Sequence, residues 1–381
     1  MRIYTRVSYD KGKGGVMQKP RAPEAHELNQ VYEFINQNRN TDGWSVSDEY
    51  PLAFDAKNAH NIRIITDEDK KIISHAVVKP TIIKTPYSLF NVAIIGSVMT
   101  DPRFRQQGLS SHLIENCIDH AKSLQCDFAV LWTDLFDFYK NFQFELAGTE
   151  LSLIINDNFK PQERRTDLKV LNTKQIDPSA LLRLYNLHSV TSHRSIDDIK
   201  KYLQIPNSRV YTAWNKNNQM EAYAIEGKGI DLQGYIHEWG GNTSALVELF
   251  IAAREQQKKE IIVITPPHCK NLIRRCLSGG AQSYEGILGM IKLIDKHSLV
   301  KKVQKTARRM GLNDFAIEMH ENTLYFGTSE GVYKTESESD IIHLLFGPQK
   351  PAEMHAFSEA TLEKLNKLLP LPLWFWGWDS I

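Results

Sequence analysis

Gly96-Ser-Val-Met-Thr100-Asp-Pro-Arg-Phe-Arg105-Gln-Gln-Gly108-Leu-Ser-Ser111 joins an apolar run to a helix-patterned one. Residues 91–99 are rich in Val, Ile and Ala and read as a buried strand. After the turn, Leu109, Leu113, Cys117 and Ala121 fall on one stripe with Ile114 and Ile118 beside them, the spacing of an amphipathic helix. A strand, a tight turn and a helix start make an anion site. The unpaired N–H groups of the first helical turn point one way, and the helix dipole adds about half a positive charge there. Gly108 lets the backbone approach a ligand closely, and Arg105, with Arg103 nearby, adds cations suited to phosphate oxygens.

Upstream, residues 24–38 carry Leu28, Val31, Tyr32 and Ile35 at helical spacing, and residues 61–65 and 71–80 read as strands before 91–99. Downstream, 126–132 is of strand length, 136–141 a short helix and 144–155 a strand. The order from the first strand is β-β-β-α-β-α-β. After a polar link at 156–165 a similar order recurs: helices at 181–188 and 196–203, strands at 209–214, 220–226 and 234–239, a helix at 245–256 and a strand at 260–265. This points to internal duplication, read from element order alone. From about Gly289 a helical stretch is expected through Arg309, then strands at 315–319, 323–328 and 331–335 and helices at 341–346 and 362–368. The chain closes on PLWFWGWDSI, whose Trp374, Trp376 and Trp378 make a terminus apolar enough to be docked. The expected division is a polar leader over 1–22, a first unit over 23–157, a second over 158–288 and a small α+β unit over 289–381.

The 381 residues, 42% hydrophobic and 24% charged with a net charge of +1, describe a soluble globular chain. Near-neutrality argues against extended nucleic-acid binding, which needs a basic face. Four cysteines without C-x-x-C pairing read as reduced thiols. The opening MRIYTRVSYDKGKGG lacks the apolar centre of a secretory signal, and no run reaches the roughly 18 apolar residues that span a bilayer, so membrane insertion is not expected and a cytoplasmic location is the default. No zinc-ligand spacing and no G-x-S-x-G elbow occur, which leaves metal and serine-hydrolase chemistry without support.

Arg105-Gln-Gln-Gly108-Leu-Ser110 resembles the R-x-x-G-x-G/A signature of the GNAT superfamily of N-acetyltransferases, and the preceding Thr100-Asp-Pro-Arg-Phe is similar to its V-x-P-x-x lead-in. Phe138-Tyr139-Lys-Asn-Phe-Gln-Phe144 resembles the superfamily's F-Y-x-x-x-G-F segment. The resemblance implies acetyl-CoA as co-substrate. The backbone of Val98, Met99 and Thr100 would run beside pantetheine, with the amides of Gln106, Gln107, Gly108, Leu109, Ser110 and Ser111 capping the pyrophosphate. Tyr139 would protonate the departing sulfur, and an amide near Met99 would polarise the thioester carbonyl. Thr100 for Val, Ser110 for Gly or Ala, and Gln143 for Gly depart from the pattern. Asp134 and Asp137 read as caps or solvated groups, and His112 and His120 as surface or core residues.

Two such units followed by a small α+β domain resemble the enhanced-intracellular-survival family of tandem acetyltransferases, whose last domain is sterol-carrier-like and whose terminal carboxylate reaches the first domain's active site. The stretches 289–295 and 341–347 and the aromatic tail carry that likeness. It implies tandem GNAT-like mixed α/β sheets flanked by helices, a sterol-carrier-like α+β domain and the Ile381 carboxylate as general base. The second unit reads Glu238-Trp-Gly-Gly-Asn-Thr-Ser where an anion loop belongs, without arginine, and is expected to be degenerate for CoA. The expected function is transfer of an acetyl group from acetyl-CoA to a primary amine on a small molecule or protein. A non-catalytic acyl-CoA or lipid sensor, or a transferase of longer acyl groups, are the alternatives. Homo-oligomerisation is left open.

Overall fold

The computed structural model describes residues 19–39 and 43–381. The first stretch runs α1 (Leu28–Asn38), α2 (Val46–Glu49), β1 (Ile62–Thr66), β2 (Ile72–Lys84), β3 (Leu89–Thr100), α3 (Leu109–Ser123), β4 (Phe128–Leu131), α4 (Phe136–Lys140) and β5 (Glu145–Ile155). The second runs β6 (Lys169–Asn172), α5 (Pro178–Tyr185), β7 (Thr191–Ser192), α6 (Ile196–Tyr202), β8 (Arg209–Trp214), β9 (Met220–Lys228), β10 (Asp231–Gly241), α7 (Thr243–Gln257), β11 (Ile261–Thr265), α8 (Lys270–Ser278) and β12 (Gln282–Leu293). The third comprises α9 (Lys296–Arg309), β13 (Ala316–His320), β14 (Thr323–Thr328), β15 (Gly331–Thr335), α10 (Glu338–Phe346), α11 (Pro351–Met354) and α12 (Glu359–Leu368), before the tail.

β1 to β12 form one mixed sheet in the order β1-β2-β3-β4-β12-β5-β11-β10-β9-β8-β6, with β7 on β2; β13, β14 and β15 form a separate antiparallel sheet. Each half of the large sheet is built alike. A three-strand antiparallel meander, β1-β2-β3 or β8-β9-β10, is followed by a helix and then by a strand parallel to the meander's last, β4 on β3 and β11 on β10. The final strands are exchanged: β12 lies antiparallel between β4 and β5, and β5 between β12 and β11. Exchange pairs strand edges that each half alone would leave open.

One expectation needs correction. Residues 289–293 are not helical but the buried half of β12, so the division placed between 288 and 289 falls inside a strand. The strand was hidden because Gln282 to Ile287 lie exposed and show no apolar alternation, and only the part inserted between β4 and β5 is buried. Of the leader expected over 1–22, only the end is described. Its residues 1–18 lie outside the described residues, but Arg21 exchanges two backbone hydrogen bonds with Ile64 (3.1 and 2.8 Å) and clamps Glu27 with both terminal nitrogens (2.7 Å each).

The tail crosses the second stretch rather than fraying. Trp374, Trp376 and Trp378 are each 1% exposed. Trp376 Nε1 donates to Val190 O (3.1 Å), and its ring packs on His188 and Trp239; Trp378 stacks on Tyr202. Among the described residues no helix is long and apolar enough to cross a membrane.

Candidate active site

Pairing between β3 and β4 ends at Ile94/Val130, although β3 continues to Thr100, so the two strands part. The cause is a β-bulge. Register with β2 passes from Val77↔Gly96 to His75↔Met99, one residue more on β3 than on β2, and Ser97 takes a φ of +50°. Buried His75 holds the bulge through Nδ1, which must carry the hydrogen because its partner, Ser97 O at 2.9 Å, only accepts. Burial pushes the His75 pKa down to about 4, so the ring stays neutral.

Past the bulge, Thr100 Oγ1 sits between Ser74 Oγ (2.6 Å) and Ser110 Oγ (2.9 Å), tying the end of β3 to the first turn of α3. The two departures noted in the motif, Thr100 and Ser110, are thus a matched pair. Gly108 precedes the helix with a φ of +80°, a left-handed value that suits glycine, and no side chain caps the helix. His112 N is the first amide of the turn to find an oxygen, Gly108 O at 3.1 Å; among the described residues the amides of 106–111 donate to no protein group. Arg105 Nε donates to Thr100 O (3.3 Å). Arg103 instead folds onto Asp101, with Nη2 to Oδ2 at 2.7 Å and Nε to Oδ1 at 3.1 Å, and so is spent within the turn. These residues bound a groove of about 670 Å³, with Val98, Met99, Phe104, Leu135 and Phe138 as its apolar wall. Gln107 is not among its lining residues.

A second cavity of about 490 Å³ shares Val98 and Met99 with that groove. Trp132, Ile264, Leu288, Trp374 and Phe375 give it apolar walls, and Ser97, Arg39, Tyr50, Asp231, His237, Glu150 and Ile381 supply polar atoms. Ile381 reaches the bulge itself. A Cβ built on Gly96 would lie 2.5 Å from Ile381 O and 2.6 Å from its Cγ1, so a glycine at that position makes room for it. The segment leading there is tied down. Lys228 Nζ donates to Ser380 O (2.6 Å) and Gly377 O (2.9 Å), and Lys79 Nζ to Asp379 O (3.1 Å). The Asp379 carboxylate accepts from Ser192 Oγ (2.8 Å) and Arg194 (2.9 Å), and Arg194 also grips Glu238 with both terminal nitrogens (2.8 and 3.2 Å).

Tyr139 lies on α4, buried, its ring edge-on to Phe138 (4.9 Å) and Phe144 (6.0 Å). Phe138 lines the groove, and neither cavity is lined by Tyr139. Burial, with Cys117 adjacent, pushes its phenol up to about 12, so it keeps its proton at neutral pH; among the described residues its hydroxyl has no hydrogen-bond partner. His120 is occupied through Nε2 with Asn61 Oδ1 (2.6 Å).

The corresponding turn of the second half offers no cradle. Asn242 Oδ1 accepts from Ser244 N (2.9 Å) and Ala245 N (3.2 Å), so the first amides of α7 are taken. Its glycines serve packing: a Cβ on Gly241 would lie 2.1 Å from Glu221 O, and one on Gly240 2.8 Å from the Tyr223 ring.

With this geometry in view, the family comparison is direct: residues 21–147 match the family described as acetyltransferase (GNAT) domain. That stretch is thus similar to a GNAT domain. No curated protein matches it. Among solved structures, a conserved protein from Enterococcus faecalis described as a probable N-acyltransferase superposes with a TM-score of 0.63 at 14% identity, covering 92% of this chain and 96% of that one. A GCN5-related N-acetyltransferase from Anabaena variabilis gives 0.63 at 13% identity with the same coverage. Eis1 from Mycobacterium abscessus gives 0.62 at 11% identity over 96% of this chain and all of that one. At these identities the likeness is one of fold, and it extends well beyond the GNAT domain.

Three residues of the GNAT site and its surroundings escaped sequence reasoning. His75 and Lys228 read as ordinary strand residues, and Glu150, in ELAGTELS, reads as a polar residue of a half-exposed strand. No local signal marks them, because what singles them out is what packs around them.

Proposed function

We propose that this protein transfers an acetyl group from acetyl-CoA to a primary amine. The observation that carries the reading is the meeting of two cavities at Val98 and Met99, one bounded by unpaired amides and a cation, the other reached by Ile381. The groove fits the co-substrate in kind: the free amides of 106–111 with Arg105 suit a pyrophosphate, and the apolar wall of Val98, Met99 and Phe138 suits a pantetheine arm. Acetyl-CoA, when bound, supplies the acyl group as a thioester. The parting of β3 from β4 leaves backbone of the bulge free to lie along that arm.

The chain's own residues then manage two protons. An amine is a nucleophile only when neutral, and the Ile381 carboxylate, at the bulge where the cavities join, accepts the proton it must lose. The thiolate that departs needs a proton, and Tyr139, kept protonated by burial, is the donor. The new bond is amide nitrogen to acyl carbon, the broken one acyl carbon to sulfur. Screening amines for free-thiol release tests the reading. Tyr139→Phe should lower turnover ~10²–10⁴-fold while leaving CoA affinity unchanged, and an amine panel that yields no thiol despite tight acetyl-CoA binding would instead favour an acyl-CoA sensor.

A further inference from the structure

We propose that Glu150 forms a cation-binding subsite in the second cavity, which selects acceptors bearing a second positive charge apart from the reacting amine. The inference rests on the acyl-transfer reading for the word acceptor, but the subsite itself is a matter of binding. Glu150 lies on β5 opposite Gly286 of β12, at the point where β11 stops covering β5, since that pairing begins at Leu151↔Thr265. The absent side chain at Gly286, where an added Cβ would meet nothing within 4 Å, leaves the space above the carboxyl open. Among the described residues the carboxyl takes no hydrogen bond and no cation, although it is largely buried.

Apart from the Ile381 carboxylate, the other charged groups around the cavity are already matched. Asp231 accepts from the Tyr50 hydroxyl, and Arg39 pairs with Glu49 at 3.1 Å. Burial keeps His237 neutral, and its Nε2 is used on Gly227 O (3.0 Å). An unpaired carboxyl in an apolar recess is costly, and either a proton or a ligand cation relieves it. Burial alone raises the Glu150 pKa to about 7, so at neutral pH the two compete. The walls of the same cavity include Trp132, edge-on to Phe375 at 5.5 Å, and Leu288, surfaces that take a hydrocarbon spacer and whose aromatic faces also favour a cation. The ligand class is therefore a linear or cyclic diamine whose charges are separated by an apolar body.

The test compares 1,n-diaminoalkanes with n-alkylamines of equal length, on the full chain, by calorimetric binding and by thiol release. In the unaltered protein diamines should bind ~10–100-fold more tightly than the matched monoamines. Glu150→Gln should abolish that preference in binding, raise the diamine KM by the same factor, leave kcat within about two-fold, and leave monoamines and CoA affinity unchanged; Glu150→Asp should restore part of the preference. The diamine advantage should also grow as pH rises through about 7 and lose that dependence in Glu150→Gln. Equal binding of diamines and monoamines by the unaltered protein, or a Glu150→Gln variant that loses kcat for both alike, overturns the subsite. Diamine-selective binding without any thiol release upholds the subsite and overturns acyl transfer, so the two failures are told apart.

Discussion

Glu150, Tyr139 and Gly96 show how single positions divide between folding and function. Glu150 takes up a proton on folding, because its pKa lies near 7 in the fold and near 4.5 in the unfolded chain. The folded state thus binds more protons than the unfolded one between those values, and stability attributable to this residue falls as pH rises from about 4.5 to 7. Glu150→Gln should accordingly be close to neutral at pH 4 and stabilising above pH 7, read from denaturant melts at the two pH values; a variant less stable at pH 8 would mean the carboxylate has a partner. Among the described residues the Tyr139 hydroxyl has no hydrogen-bond partner, so Tyr139→Phe should leave Tm within about 2 °C, and its effect on turnover reports chemistry rather than folding. At Gly96 one added methyl occupies the place of Ile381, and Gly96→Ala should cut turnover at least ~10-fold with CoA affinity kept, since Gly96 does not line the groove.

At the scale of the element, the turn before α3 and the turn before α7 occupy equivalent places in the two halves yet differ in one decisive respect. The first leaves its amides open; the second closes them with Asn242. Calorimetric titration of the full chain with CoA should therefore give one site per chain, and Arg105→Glu should weaken that site by at least ~10-fold by placing a carboxylate beside the phosphates. Asn242→Ala should cost about 1 kcal/mol of stability without creating a second site, since no arginine replaces Arg105 there. Two sites of like affinity would contradict the asymmetry. Most elements were legible from periodicity, because strands such as β3 and helices such as α3 bury one face or both. Among those that escaped, β12 did so because half of it lies exposed and its buried half is covered by strands from the other end of the sheet.

At the scale of the molecule, the end of the chain is held beside the bulge of β3 by groups drawn from both halves of the sheet: Lys79 from β2, Lys228 from β9, Glu238 from β10, and Arg194. Arg194 neutralises two buried carboxylates at once. Replacing it with methionine leaves Glu238 buried without a cation and Asp379 with Lys79 alone, at 3.7 Å, and a loss of about 3–5 kcal/mol is expected in equilibrium unfolding. Because Asp379 lies two positions before Ile381, the folded fraction of Arg194→Met should also lose turnover while binding CoA normally. Turnover that simply follows the folded fraction would separate the tail from catalysis.

The sequence by itself determined the open turn between β3 and α3, since a left-handed glycine, a preceding arginine and an uncapped helix start are local matters decided within a dozen residues. It also determined the repeated order of elements and a tail too apolar to remain in water. Only the tertiary structure decided the exchange of β5 and β12, the closure of the second turn by Asn242, the sequestering of Arg103 by Asp101, and the isolation of Glu150. Each of these depends on which groups are near enough to desolvate or neutralise one another. That nearness is created by contacts between residues far apart in the chain, to which periodicity and spacing are blind.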